Sequence, residues 1–300
     1  MQYTGRDGVN ERIGGIQTMS NIIEIHNLTK HYGQHRGVED ISFHVQEGDV
    51  FAFLGPNGAG KSTTIRAMLG MIGFSQGSIH MLGKDAVREK KAILQQTGYM
   101  PSEAMFYPAM RVGEVIRFAA DMRGLDCGEE ASRLCERLQV DTGKRIWELS
   151  LGNRKKVSIV CAMQHKPKLL VLDEPTSGLD PLMQEVFFQL LQEANSQGTT
   201  CFLSSHVLSE VKKYCLNAAI IKNGQLLKVD TVENLSHTGV RLVKVWKNGR
   251  EQSFTHTGST AELLQRLNDM EPEDVLIEEP SLEELFKSYY VNGSEQGSIA

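Results

Sequence analysis

Nine consecutive residues, Gly55-Pro56-Asn57-Gly58-Ala59-Gly60-Lys61-Ser62-Thr63, carry the strongest chemical signal in the chain. They satisfy the G-x-x-x-x-G-K-[ST] pattern, in which glycines let backbone N–H groups turn inward around phosphate oxygens at a helix N-terminus. At average residue frequencies such a match arises by chance in roughly one chain in a hundred of this length. An apolar run, Val50 to Leu54, precedes it, and Ile65, Met68, Leu69 and Ile72 follow at helical spacing. The pattern therefore sits in a strand–loop–helix context. Lys61 is expected to reach the β- and γ-phosphates of a nucleotide, and the Ser62 hydroxyl to ligate Mg2+.

A second constellation lies downstream, where Leu169-Leu170-Val171-Leu172 runs into Asp173-Glu174. Adjacent acids at the end of a buried strand are costly unless a cation or a reaction uses them, and open parallel sheets bind their ligands at that end. Asp173 is expected to hold the Mg2+, directly or through water, and Glu174 to orient and deprotonate an attacking water. A single exposed acidic pair would read as a solvated strand end; the phosphate loop shifts that balance.

The elements that must position these groups follow from periodicity. From Ile22 to Leu54 short alternating patterns, with turn signals at Tyr32-Gly33 and Glu47-Gly48-Asp49, predict antiparallel strands leading into one buried strand. Roughly Pro101 to Gln164 reads as an inserted helical subdomain, with Val115, Ile116, Phe118, Ala119 and Met122 on one face and Gly124 as punctuation. Leu169–Leu172, a helical stretch Leu182–Asn195 and Thr200–Leu203 form strand, helix, strand and imply a parallel sheet. Asn223-Gly224 and, beyond Leu227, Asn248-Gly249 signal two hairpins, and Ser281 with Glu284 has capping-box spacing ahead of a final helix lined by Leu282, Leu285, Phe286 and Tyr289.

Composition excludes several classes. The 300 residues are 40% hydrophobic and 23% charged, which disfavours disordered, collagen-like and disulfide-scaffold chains. A formal charge of -5 gives no general attraction to nucleic acid or anionic lipid, so no nucleic-acid partner is expected. No apolar run approaches the ~18 residues of a membrane span. Five scattered cysteines without metal spacing (127, 135, 161, 201 and 215) read as reduced, buried thiols. Met1 to Thr18 lacks a secretory apolar stretch and reads as a flexible extension, with Met19 an alternative start.

With these motifs in order, the chain resembles the nucleotide-binding subunits of ABC transporters over about Ile22 to Leu227. The likeness rests on Gly55–Thr63, Leu149-Ser150-Leu151-Gly152-Asn153, Leu169–Glu174, Ser177-Gly178-Leu179-Asp180 and Ser204-Ser205-His206. It implies an α/β P-loop NTPase with a parallel core sheet, an antiparallel β subdomain, an inserted helical subdomain (about 101–164) and a small α+β C-terminal unit. The implied division is an extension at 1–18, an ATPase domain at 19–230 and an accessory domain at 231–300.

The resemblance also implies roles. Two subunits, as homodimer or heterodimer, would meet head to tail around ATP, and Leu149–Asn153 resembles the signature segment that closes the partner's site. There Ser150 would donate to the γ-phosphate and the Gly152 backbone would approach it. Leu151 and Asn153 depart from the common Leu-Ser-Gly-Gly-Gln. Taken alone, the segment reads as a helix cap followed by a solvated basic turn, Arg154-Lys155-Lys156. Asp180 would line the subunit interface, His206 resembles the switch histidine at the γ-phosphate, and Tyr32 matches the aromatic that stacks on adenine, though it also reads as a turn aromatic on its own hairpin. Family members place Gln or Glu after Tyr-x-Pro; here Tyr99-Met100-Pro101 is followed by Ser102 and Glu103, and Ser102 is too short to span the same distance unaided. A water, Glu103 or a weaker coupling remain open there, and no catalytic role is assigned. Met105, Phe106 and Tyr107 would line the groove for an integral membrane permease. The tail Ser281–Tyr290 and the Leu-Gly-Asn variant are similar to exporter ATPases of drug, bacteriocin and polysaccharide systems, which implies a peripheral cytoplasmic subunit driving export. The alternatives are an importer ATPase, or a soluble ABC ATPase acting on ribosomes or DNA. The single phosphate loop and the lack of a long heptad insertion weigh against the soluble class. A small-molecule kinase would leave the signature segment and His206 unexplained.

Overall fold

The computed structural model describes residues 20–33, 35–236 and 240–278. The N-terminal extension, Met19 and the capping box at Ser281 and Glu284 lie outside the described residues.

The described residues open with two long strands, β1 (Asn21–Tyr32) and β2 (His35–Gln46), paired antiparallel, and continue into the fully buried β3 (Val50–Leu54). After the phosphate loop, α1 (Lys61–Met68) is followed by β4 (Gln76–Met81), β5 (Lys84–Asp85), α2 (Lys90–Gln95) and β6 (Thr97–Met100). Helix α1 is shorter than its apolar pattern: the backbone turns at Leu69 into Gly70, whose φ is +61°, before Ile72 can join it. Three helices, α3 (Val112–Asp121), α4 (Gly128–Arg137) and α5 (Leu151–Met163), then intervene before β7 (Leu169–Asp173). The remaining elements are α6 (Pro181–Ser196), β8 (Thr200–Ser205), α7 (Leu208–Tyr214), β9 (Asn217–Lys222), β10 (Gln225–Thr231), α8 (Val232–Ser236), β11 (Val240–Lys247), β12 (Arg250–Thr257), α9 (Thr260–Met270) and β13 (Asp274–Glu278).

Three sheets organise these strands. The central one runs β10-β9-β3-β8-β7-β6 and is parallel from β9 to β6, with β10 antiparallel at one edge. Its inner strand β3 is an unbroken apolar run, and β7 is apolar up to Asp173, as suits strands covered on both faces by helices and the second sheet. The second sheet, β2-β1-β4-β5, is antiparallel and shares with the first a core that includes stacked Phe43, Phe51, Phe53 and Phe202, with ring centroids 5.4–6.0 Å apart. Helices α3 to α6 pack with the opposite face of the central sheet around Leu134, Val157, Val160 and Phe187. The third sheet, β12-β11-β13, closes on α9 through Val243, Val245, Leu263 and Leu267.

Both hairpin signals fold as two-residue turns. Asn223-Gly224 and Asn248-Gly249 have positive φ at both positions, the type I′ geometry that matches strand twist. A capping box stands at Ser259 and Glu262, at the start of α9, where the Ser259 hydroxyl accepts from the Glu262 N–H. All five cysteines are free thiols; four are buried and Cys161 is half-buried. Among the described residues no helix is long and apolar enough to cross a membrane.

Candidate functional site at the carboxyl edge of the central sheet

Because β3, β6, β7 and β8 run parallel, their C-terminal ends deliver four loops to one edge of the sheet. The phosphate loop leaves β3, Ser102 follows β6, Asp173-Glu174 ends β7, and His206 follows β8. Register fixes the detail: Leu54 lies opposite Ser205, and Ser204 opposite Asp173.

Gly55 to Gly60 fold as the turn between β3 and α1, with Gly60 at the helix N-cap. Gly60 has φ +108°, and a Cβ there would lie 2.6 Å from Val38 Cγ1, so only glycine fits. Lys61 is buried. Its Nζ donates to the carbonyls of Gly55 (2.6 Å) and Pro56 (3.1 Å) and pairs with Glu174 Oε1 at 3.0 Å. Two carbonyls accept from the ammonium, and the Glu174 contact is an ion pair, its Oε1 having no hydrogen-bond partner among the described residues. The other Glu174 oxygen, Oε2, lies 2.7 Å from His206 Nδ1. Lys61, Glu174 and His206 therefore form one polar chain across three strand ends, anchored at the lysine end in the phosphate loop.

Glu174 has φ +50°, a left-handed conformation that is unfavourable for a residue with a long side chain. Ser204 holds it there. Its Oγ accepts from the Glu174 N–H at 3.0 Å and donates to Asp173 Oδ1 at 2.6 Å. Asp173 is buried, and its second oxygen, Oδ2, has no hydrogen-bond partner among the described residues. An anionic oxygen buried without a donor is expensive. Such an oxygen, at the same sheet edge as the phosphate loop, suits a hard divalent cation.

Glu210 on α7 completes the surroundings. Its Oε2 accepts from Thr176 (3.0 Å) and from Ser205 (3.4 Å), tying the segment after Glu174 to the segment before His206. Burial raises its pKa, with the nearby Glu174 charge adding to the shift. Burial likewise raises Tyr99, beside β7, and the Asp173 charge acts in the same direction.

The remaining expected site residues lie apart from this chain. Ser150 is the exposed N-cap of α5, accepting from the Asn153 N–H at 3.3 Å. A Cβ on Gly152 would stand 2.6 Å from the Gly178 carbonyl, so the start of α5 packs directly on the loop that precedes Asp180. Asp180 caps α6, its Oδ1 accepting from the Met183 N–H at 3.0 Å, with Pro181 at the first helical position. Tyr32 is 45% exposed at the end of β1, its ring beside Gly37 of the same hairpin and beneath the Lys30 ammonium at 5.1 Å.

One sequence reading is corrected. Arg154-Lys155-Lys156 is not a solvated basic turn, because the α5 helix carries Lys155 and Lys156 onto its buried face. Sequence reasoning also assigned no role to Ser204 or Glu210. The strand pairing that puts Ser204 beside Asp173 was the missing information.

A sheet of this topology with a phosphate loop at its carboxyl edge is the P-loop NTPase arrangement. The comparisons narrow the class. The ABC transporter family pattern matches residues 38–177. The bacitracin transport ATP-binding protein BcrA of Bacillus licheniformis is 38% identical over 216 residues, covering 70% of each chain. The linearmycin resistance ATP-binding protein LnrL of Bacillus subtilis is 32% identical over 244 residues, covering 78% of this chain and 77% of its own. A solved ATP-binding subunit of an ABC transporter superposes with TM-score 0.67 at 30% identity, over 71% of this chain and 91% of the other. This chain belongs to the ABC transporter ATP-binding protein family, whose members bind ATP and couple its hydrolysis to transport.

Proposed function

We propose that the chain is the ATPase subunit of an exporter, acting at the cytoplasmic face of a membrane with a separate integral membrane permease. The observation that carries the catalytic reading is the Lys61–Glu174–His206 chain. Here Lys61 binds the β- and γ-phosphates, Glu174 takes the proton of the attacking water, and His206 orients Glu174 and the γ-phosphate. Gly55 to Thr63 cradle the phosphates, and Tyr32 offers its exposed ring to the adenine. Ser62 and Asp173 would hold Mg2+, the unpartnered Asp173 Oδ2 fitting such a cation, which would supply charge neutralisation of the phosphates.

Ser150 and Gly152, exposed or half-buried at the head of α5, serve a second subunit's nucleotide in a head-to-tail dimer, with Asp180 and its loop beside them. Nothing in Lys61, Asp173, Glu174, His206 or Ser150 requires a degenerate partner, so a homodimer has two complete sites. The permease docks on the segment after β6. Met105 is 87% and Tyr107 74% exposed, and Trp147 adjoins the segment, its backbone N–H donating to the Pro108 carbonyl at 3.1 Å. Large apolar side chains at such exposure suit a helix in a groove. Export is favoured by the relatives named for bacitracin transport and linearmycin resistance.

Two experiments test this reading. Lys61→Ala is expected to weaken ATP binding itself, and unchanged affinity would remove the phosphate loop from the account. Affinity capture from detergent-solubilised membranes is expected to recover an integral membrane protein; recovery with ribosomes or DNA alone would overturn the transporter assignment.

A further inference from the structure

The loop after β6 lacks the long side chain that the sequence comparison leads one to expect, since Ser102 stands there. The structure brings another group to the same place. Lys155, in the second turn of α5, is 1% exposed, and its Nζ donates to the Ser102 carbonyl at 2.7 Å. Among the described residues that carbonyl is its one hydrogen-bond acceptor, leaving two ammonium protons. The carboxylates whose charge acts on it are Asp173, Glu174 and Glu103. Burial pulls the lysine below its ordinary pKa, and those three carboxylates pull it back up. A helix position that needed only packing would carry Leu or Met, because burying an ammonium is costly without compensation.

We propose that Lys155 is a positioning residue of the ATPase site, clamping the backbone of the 101–103 loop and linking the head of α5 to the acid pair Asp173-Glu174. The inference rests on the reading of that pair as the reacting centre. The same helix presents Ser150 and Gly152 at its N-terminus, one turn or so from Lys155. A displacement of α5 by more than about 1 Å stretches the 2.7 Å bond beyond hydrogen-bonding range unless the loop follows. Engagement of the α5 head by a second subunit is thereby transmitted to Ser102, and from there to Glu103, Met105 and Tyr107. Lys155 supplies from the helix the link that the short Ser102 side chain does not supply from the loop.

The test compares Lys155→Met and Lys155→Arg with the unmodified full chain, measuring kcat and KM for ATP, Tm, and amide hydrogen exchange of residues 102–107 without nucleotide. Lys155→Met keeps length and apolar packing while removing the donor and the charge. It is expected to lower kcat about ten-fold or more with little change in KM, and to speed exchange in 102–107 about ten-fold. Lys155→Arg, which keeps both, is expected to restore most of each. Unchanged kcat or unchanged exchange in Lys155→Met overturns the proposal. Equal losses in both variants with equal falls in Tm also overturn it, since that is the mark of packing alone. The two readings fail separately: near-normal turnover in Glu174→Gln rejects the catalytic assignment, whereas the exchange data test the Lys155 clamp whatever the acid pair does.

Discussion

Replacing Glu174 by Gln separates the electrostatics of the site from its chemistry. The Lys61–Glu174 pair at 3.0 Å is worth a gross ~5 kcal/mol at an effective dielectric near 20. Desolvation offsets much of that, and in the variant Lys61 keeps its two carbonyl acceptors at 2.6 and 3.1 Å. The net loss in the nucleotide-free protein is therefore about 2 kcal/mol, below the range for a fully buried charge left alone. At roughly 2–4 °C per kcal/mol, Tm should fall by about 4–8 °C. Triphosphate resupplies the missing negative charge next to Lys61, so the same ~2 kcal/mol should reappear as roughly 30-fold tighter ATP binding. Loss of the base should meanwhile slow hydrolysis by about 100- to 10,000-fold. Differential scanning fluorimetry, equilibrium titration with ATP and Mg2+, and steady-state phosphate release read the three effects. The variant should also accumulate an ATP-bound dimer, visible by size-exclusion chromatography. Turnover near the wild-type rate would remove Glu174 from the chemistry. Arrested turnover with unchanged Tm and ATP affinity would refute the electrostatic reasoning while leaving the base assignment standing.

Ser204→Ala removes both the donor to Asp173 and the acceptor of the Glu174 N–H; kcat should drop about ten-fold or more, measured by phosphate release, with ATP affinity changed less, and an unaltered kcat would show that the left-handed turn at Glu174 needs no such support. Gly152→Ala drives a Cβ into the Gly178 carbonyl and should cost about 1–3 kcal/mol in urea unfolding; a neutral variant would mean that the two backbones part easily. His165 supplies a pH effect. Burial, with Arg123 beside it, lowers its pKa to about 4, and neither ring nitrogen has a hydrogen-bond partner among the described residues. The unfolded chain titrates near 6.5, so it binds more protons than the folded chain between the two values, and stability present above pH ~6.5 is lost as pH falls toward 4. At pH 5 the loss is at most about 2 kcal/mol, reduced by the ring's partial exposure. His165→Gln should flatten the fall in Tm between pH 7 and pH 5 by about 2–5 °C, and an unchanged slope would assign the acid sensitivity elsewhere.

What the sequence made legible follows the range of the physics involved. The phosphate loop, the acid pair and both hairpins are local: glycine spacing, an apolar run ending in carboxylates and Asn-Gly turns specify their own geometry within a few residues. The motif order carried the family likeness, and Asn223-Gly224 and Asn248-Gly249 fold as their dipeptides require. The groups that were invisible are those defined by pairing or by helical phase. Ser204 is an ordinary strand residue until the β7–β8 register sets it opposite Asp173, 31 positions away. Asp180 reads as an interface residue from its motif, yet in the folded chain its carboxylate also caps α6, a role that depends only on Pro181 and Met183 beside it. Lys155 is the sharpest case. In a run of three basic residues it has the composition of a solvated surface, and no pattern of charge reveals that the first turn of α5, packed through Gly152 onto Gly178, rotates it inward to the Ser102 carbonyl. The small residue at 102 and the buried cation at 155 then read as one arrangement rather than two oddities. A side chain missing from the loop is matched by one supplied from the helix, and the pair becomes intelligible only when the contact between them is known.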